Sequence, residues 1–144
     1  MIETTEYKKI PAAILHRITG KSDIDEVKRG IAEAEEIINK VIHEYDSFNL
    51  ILDPRGHDFA DLAAHKMWKM WLIQDALIKG KVNYTAIIAA ESSHTRAEKE
   101  LMDTEKTKFF FDFDEGSNWL QKMAGIEVFA YHKKKLEPEV RKGN

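Results

Sequence analysis

The sequence predicts a single-domain α/β protein, with a mixed sheet of about four or five strands and helices packed on it. Three observations carry this. Short apolar runs alternate with longer stretches patterned at helical spacing. Two of those runs, FNLILD and YTAIIAA, are apolar at nearly every position, as in strands covered on both faces. The chain has 144 residues, 43% hydrophobic and 33% charged, enough for one real core and far from a disordered composition.

Residues 2 to 9 alternate loosely, and PAAILHRITG is an apolar run ending in glycine, so a strand is expected over 11–19 with a partner strand over 2–9. Ser22 or Asp23 then caps a helix whose first turn is acidic, as the helix dipole favours. Ile24, Val27, Ile31, Ile38, Val41 and Ile42 recur at steps of three and four, with Glu, Lys and Arg between them. That is an amphipathic helix of about five turns. FNLILD, 48–53, is the next strand, and Pro54 and Gly56 are read as reversing the chain before a helix capped by Asp58. Phe59, Leu62, Ala63, Met67, Met70 and Trp71 mark the expected buried stripe, with Trp68 and Leu72 nearly opposite. A break is expected near Ile73 to Asp75, where ALIKGKV reads as a second short segment. YTAIIAA, 84–90, is a strand, SSHTRAEKELMD a polar helix with a Ser cap, and KFFFDFD, 108–114, a strand. EGSNWLQKMAG is a short helix closing at Gly125 as its C-cap. One domain over 1–125 is expected, followed by a C-terminal extension, 126–144, whose last residues are expected to be mobile.

Composition removes several function classes. The net charge is −3, from 22 basic and 25 acidic residues, which argues against a nucleic-acid binder. The absence of cysteine rules out disulfides, thiolate nucleophiles and cysteine-held metals. The N-terminus lacks the apolar core of a signal peptide, and no run approaches a membrane span, so a cytoplasmic protein is the simplest expectation. Neither a GK[ST] phosphate loop nor a Rossmann glycine pattern is present, and no cofactor is expected.

Spaced segments resemble a known family. AAILHRITGKSDIDEVKRGI resembles the opening strand, turn and acidic helix start of the SpoIIAA-like branch of the STAS fold (sulfate transporter and anti-sigma factor antagonist). NLILDPRG…DLAAHKMW resembles its second core strand, glycine turn and following helix; YTAIIAA resembles its third core strand; FFFDFDEGSNWLQ resembles its closing strand and short Trp-Leu helix. The likeness spans about residues 1 to 123. It implies four or five strands with helices on one side, and a protein that binds without catalysing. In the anti-sigma antagonists of that family, a Ser at the start of the helix after the second core strand is phosphorylated and sets partner affinity. This chain has no Ser or Thr between Phe48 and Lys79, so that switch is not carried over.

Several clusters invite chemistry. Arg55 and Gly56, before a helix N-terminus, form a possible anion site, although Asp58 beside them repels an anion. His57, Asp61 and His65 are spaced by four, which stacks side chains on one helix face and suits zinc or nickel, or a metal-dependent enzyme. Exposed or structural roles account for the same residues. Ser92, Ser93, His94 and Thr95 lie at a strand-to-helix turn but lack a nucleophile elbow, and capping explains them more economically. The paired acids of DFDE, 112–115, read as strand-end solvation and capping of the last helix. Met67, Trp68, Met70, Trp71 and Leu72 surround their helix with apolar groups, so it needs cover on two sides. The tail residues Val128, Phe129 and Tyr131, a homodimer or protein partner, or a small apolar ligand each supply that second cover. The expectation is a non-enzymatic regulatory or protein-binding module acting through that helix. A carrier or sensor of a small apolar ligand is the alternative.

Overall fold

A computed structural model describes residues 1–74 and 81–125. The element order is β1 (Ile2–Glu6), β2 (Ala13–Ser22), α1 (Ile24–Tyr45), β3 (Phe48–Phe59), α2 (Leu62–Met70), β4 (Val82–Ile88), α3 (Ser93–Met102) and β5 (Thr107–Phe110), followed by a helix over 113–125, α4. The five strands form one sheet in chain order, with β1 antiparallel to β2 and every other pair parallel. The expected alternation and mixed sheet are therefore present. The second short segment over ALIKGKV falls mainly outside the described residues, as do the extension and its apolar patch at Val128, Phe129 and Tyr131.

Two cores follow from the pleat. On one face Ile14, Ile18, Leu50 and Leu52 meet Val27, Ala34, Ile38 and Val41 of α1 and Ala64 and Trp68 of α2. On the other, Ala13, Ile51, Ala86 and Ile88 meet Leu120 and Ala124 of α4. Leu50, Ile51 and Leu52 thus point to opposite faces in turn and are all buried, which is why FNLILD carries no polar alternation. The helices-on-one-side arrangement implied by the resemblance is corrected: α4 covers the face opposite α1 and α2. It is tied there by Tyr7, whose hydroxyl lies 3.2 Å from Ser117 Oγ and whose ring meets Phe113 edge-on.

The caps account for most boundaries. Asp23 accepts from Glu26 N–H at 2.9 Å and starts α1; Asp46, at φ +68°, ends it. Ser92 and Thr95 close a reciprocal capping box at α3. Asp112 accepts from Glu115 N–H at 3.0 Å, so the chain turns into α4 at 113. The strand expected over 108–114 is accordingly shorter and ends at Phe110. Among the described residues, no helix is long and apolar enough to cross a membrane.

Candidate functional site

The stretch from Asp53 to Trp71 departs most from expectation. DPRG is not a turn. β3 runs on to Phe59, pairing Thr19 with Gly56, Gly20 with His57, Lys21 with Asp58 and Ser22 with Phe59. Between Arg17–Asp53 and Thr19–Gly56, β3 holds one residue more than β2, so Pro54 and Arg55 form a bulge. Proline is tolerated there because a bulged position makes no ladder bond, and Arg55 N–H is taken by Asp53 Oδ1 at 3.3 Å. The helix begins three residues later than expected. Its cap is Asp61, accepting from Ala64 N–H at 2.8 Å, and not Asp58, which lies exposed in β3.

Arg55 is occupied. Its Nε and terminal nitrogen donate to Asp53 Oδ1 and Oδ2 at 2.9 and 3.0 Å, and Arg17 Nε donates to Asp53 Oδ2 at 3.2 Å. Arg17 also lies over the Phe113 ring at 5.3 Å. Burial alone raises the Asp53 carboxyl; the hydrogen bonds and charge of Arg55, with Arg17, outweigh it and hold it below the usual carboxylate range. Asp112 also acts electrostatically on Arg55. The group joins β2, β3 and α4 by balanced charge, which leaves the Arg55–Gly56 anion site with no excess positive charge to offer.

His57, Asp61 and His65 do gather, around an open groove of about 380 Å³ also lined by Asp58, Phe59 and Leu62. Phe59 forms its floor, with the His65 ring stacked on it at 4.9 Å. The two imidazoles lie 6.2 Å apart between centroids, His57 Nδ1 donates to the Pro54 carbonyl at 2.5 Å, and Asp61 is engaged as the cap. Among the described residues, no three His, Asp or Glu side chains come together as a metal set. At the other candidate turn Ser92 and Thr95 are spent on the capping box, and His94 Nε2 pairs with Glu98 at 3.1 Å.

α2 buries a different face from the one its pattern suggested. Ala64, Trp68, Trp71 and Leu72 point inward, whereas Leu62 is 79% exposed and Met70 45%. Trp68 wins the interior because its N–H finds a buried acceptor: Nε1 donates to His16 Nε2 at 3.0 Å. His16 Nδ1 carries the proton in that tautomer and donates to Thr4 Oγ1 at 2.8 Å, Thr4 being its register partner on β1. Burial lowers the His16 pKa from 6.5 to about 4. Trp71 Nε1 donates to Glu35 of α1 at 3.1 Å. Sequence reasoning missed His16 altogether; a lone histidine in an apolar strand run was the available signal. The space left beneath α2, lined by residues including Thr4, His16, Ile38, Phe48, Trp71 and Leu72, is about 10 Å³, at most about one water. One apolar cover of α2 is thus internal. Its outward side carries Leu62, Ala63, Lys66, Lys69, Met70 and Ile73, all exposed.

No family model matches the chain, and no curated protein matches it. Among solved structures it is similar to that of an uncharacterised protein of the DUF3478 family with a SpoIIAA-like fold, from Shewanella loihica PV-4. The TM-score is 0.54 at 14% identity, over 83% of this chain and 92% of that one. At that identity the likeness is one of fold, and this chain is a SpoIIAA-like α/β domain.

Proposed function

We propose that this protein is a non-enzymatic regulatory module that acts by protein–protein contact, and that it pairs with a second copy through the outward face of α2. One observation carries the reading: Leu62 and Met70 of α2, with Ile73 just beyond its end, are exposed, while Ala64 and Trp68 of the same helix are already buried in the core. Three large apolar side chains exposed on α2 and the turn that follows it are more than scattered surface hydrophobics require. Around a two-fold axis the same stripe meets itself, which is the geometry of an isologous dimer. Three such groups from each copy, partly buried, contribute on the order of 1 to 2 kcal/mol apiece before the cost of association. A Kd in roughly the micromolar range is expected.

The mutation that tests this must leave the buried face of α2 untouched. Trp68→Glu places a charge in the core and unfolds the domain, so it reports nothing about the surface. Leu62→Glu combined with Met70→Glu changes only exposed positions. In sedimentation velocity the wild-type protein should be a dimer at tens of micromolar, and the double variant a monomer with unchanged circular dichroism. A wild-type protein that stays monomeric to several hundred micromolar ends the reading.

A further inference from the structure

Taking that dimer reading as its basis, we infer that the two α2 helices pack antiparallel in a single register chosen by charge, with Met70 of each copy seated in the groove at the N-terminal end of the other's α2. The groove and the protruding side chain lie on one continuous surface. The groove, of about 380 Å³, has Phe59 and His65 as an aromatic floor and Asp58 and Asp61 among its lining residues. Met70 stands exposed at the C-terminal end of α2, with Lys66 and Lys69 exposed beside it. The acids therefore sit at one end of the face, with Lys66 midway along it and Lys69 at the other end.

A parallel pairing would bring lysines against lysines and acids against acids, and an antiparallel pairing centred on Lys66 would set Lys66 against Lys66 and leave Asp61 opposite Trp71 without a basic partner. An antiparallel pairing centred between Ala63 and Ala64 brings Asp61 opposite Lys66, twice by symmetry, and carries Lys69 past the N-terminus of the other α2, the end at which Asp58 lies exposed in β3 and lines the groove. The same register carries Met70 beyond Leu62 of the other copy, at the N-terminal end of α2 where the groove lies. Leu62 and Ala63 then lie near the axis. Methionine suits an open aromatic recess because its thioether is flexible and favours contact with ring edges.

The test is charge reversal with rescue, read as dimer Kd by sedimentation equilibrium at low salt. Asp58 and Lys69 are both exposed, and neither caps a helix. Lys69→Glu alone and Asp58→Lys alone should each raise Kd by roughly tenfold, because each sets like charges together at two symmetric places. The chain carrying both changes should return to within about threefold of wild type. Met70→Ala should weaken the dimer in every charge background. Loss in the doubly changed chain equal to the two single losses combined overturns the register. So does a wild-type dimer indifferent to both single changes, and in that case the contact face through Leu62 and Met70 still stands. A wild-type monomer removes the face and the register together.

Discussion

His16 joins three elements through two hydrogen bonds, taking one from Trp68 of α2 and giving one to Thr4 of β1. The bond accepted from Trp68 needs the neutral ring. A second proton would sit on Nε2, facing the Trp68 N–H, so that two donors meet and no acceptor remains. That geometry works in the same direction as the burial that lowers its pKa to about 4. Between about pH 6.5 and 4 the unfolded chain binds the proton and the folded chain does not, so stability falls as pH falls across that window and is fully present above it. The two limits imply a loss of about 3 kcal/mol. In urea titrations between pH 7 and pH 4, the His16→Gln variant should start less stable and lose most of that slope. An unchanged slope would assign the acid sensitivity to a group other than His16, and not to Asp53, whose lowered carboxyl pKa makes its contribution fade only below the ordinary carboxylate range. The same neutral histidine explains why Trp68 lies inside. No pattern of apolar spacing encodes an N–H partner 52 residues away.

Among the elements, α1 was the most legible and α2 the least. α1 has one apolar face and one charged face, so its burial is fixed by periodicity: Val27, Ile38 and Val41 are buried, and Ile24, Ile31 and Ile42 lie half-buried beside them. Gly30 belongs to this packing. A Cβ there would lie 2.7 Å from Ile2 Cγ2 and 2.8 Å from Ile2 Cβ, so α1 approaches β1 as closely as it does only without a side chain. In an exposed helix Gly→Ala gains about 1 kcal/mol. Here overpacking of about 1 to 3 kcal/mol opposes that gain, because Ile2 Cβ is anchored to its strand. Gly30→Ala should therefore lower the thermal midpoint, and a rise would mean that β1 yields at little cost. α2 has apolar groups all round, so rotation about its axis is undetermined by periodicity alone. Its start was misjudged for a related reason. Pro54 and Gly56 have local turn chemistry, but pairing with the far end of β2 absorbs them into a bulge. Local preference lost to a ladder whose partner lies more than 30 residues upstream.

At the level of the whole molecule, the sheet divides the chain into two cores, one under α1 and α2 and one under α4. The bulges on β3 and β4 keep both filled. Where β4 gains a residue between Val82 and Thr85, Tyr84 N–H bonds the side chain of buried Asn49 in place of a ladder carbonyl. That backbone group is thus satisfied by a side chain. The proposed pairing through α2 would add to stability through mass action. The thermal midpoint of the wild-type protein should rise with protein concentration, by a few degrees per hundredfold, and that of the Leu62→Glu, Met70→Glu variant should not. Parallel curves for the two proteins would count against the dimer.

The order of strands and helices, the α/β class, the caps at Asp23 and Ser92 and the buried character of β3 and β4 were all legible in the sequence. Each depends on period, composition or a side chain bonding the backbone within three or four residues of itself. The inward face of α2, the clasp of Arg17 and Arg55 on Asp53, the second core under α4 and the joining of Phe59 and His65 into one groove were not. They rest on contacts between segments distant in sequence. Which of several equally apolar side chains turns inward is settled by the acceptor it finds, and chain order carries no record of that acceptor until the sheet has formed.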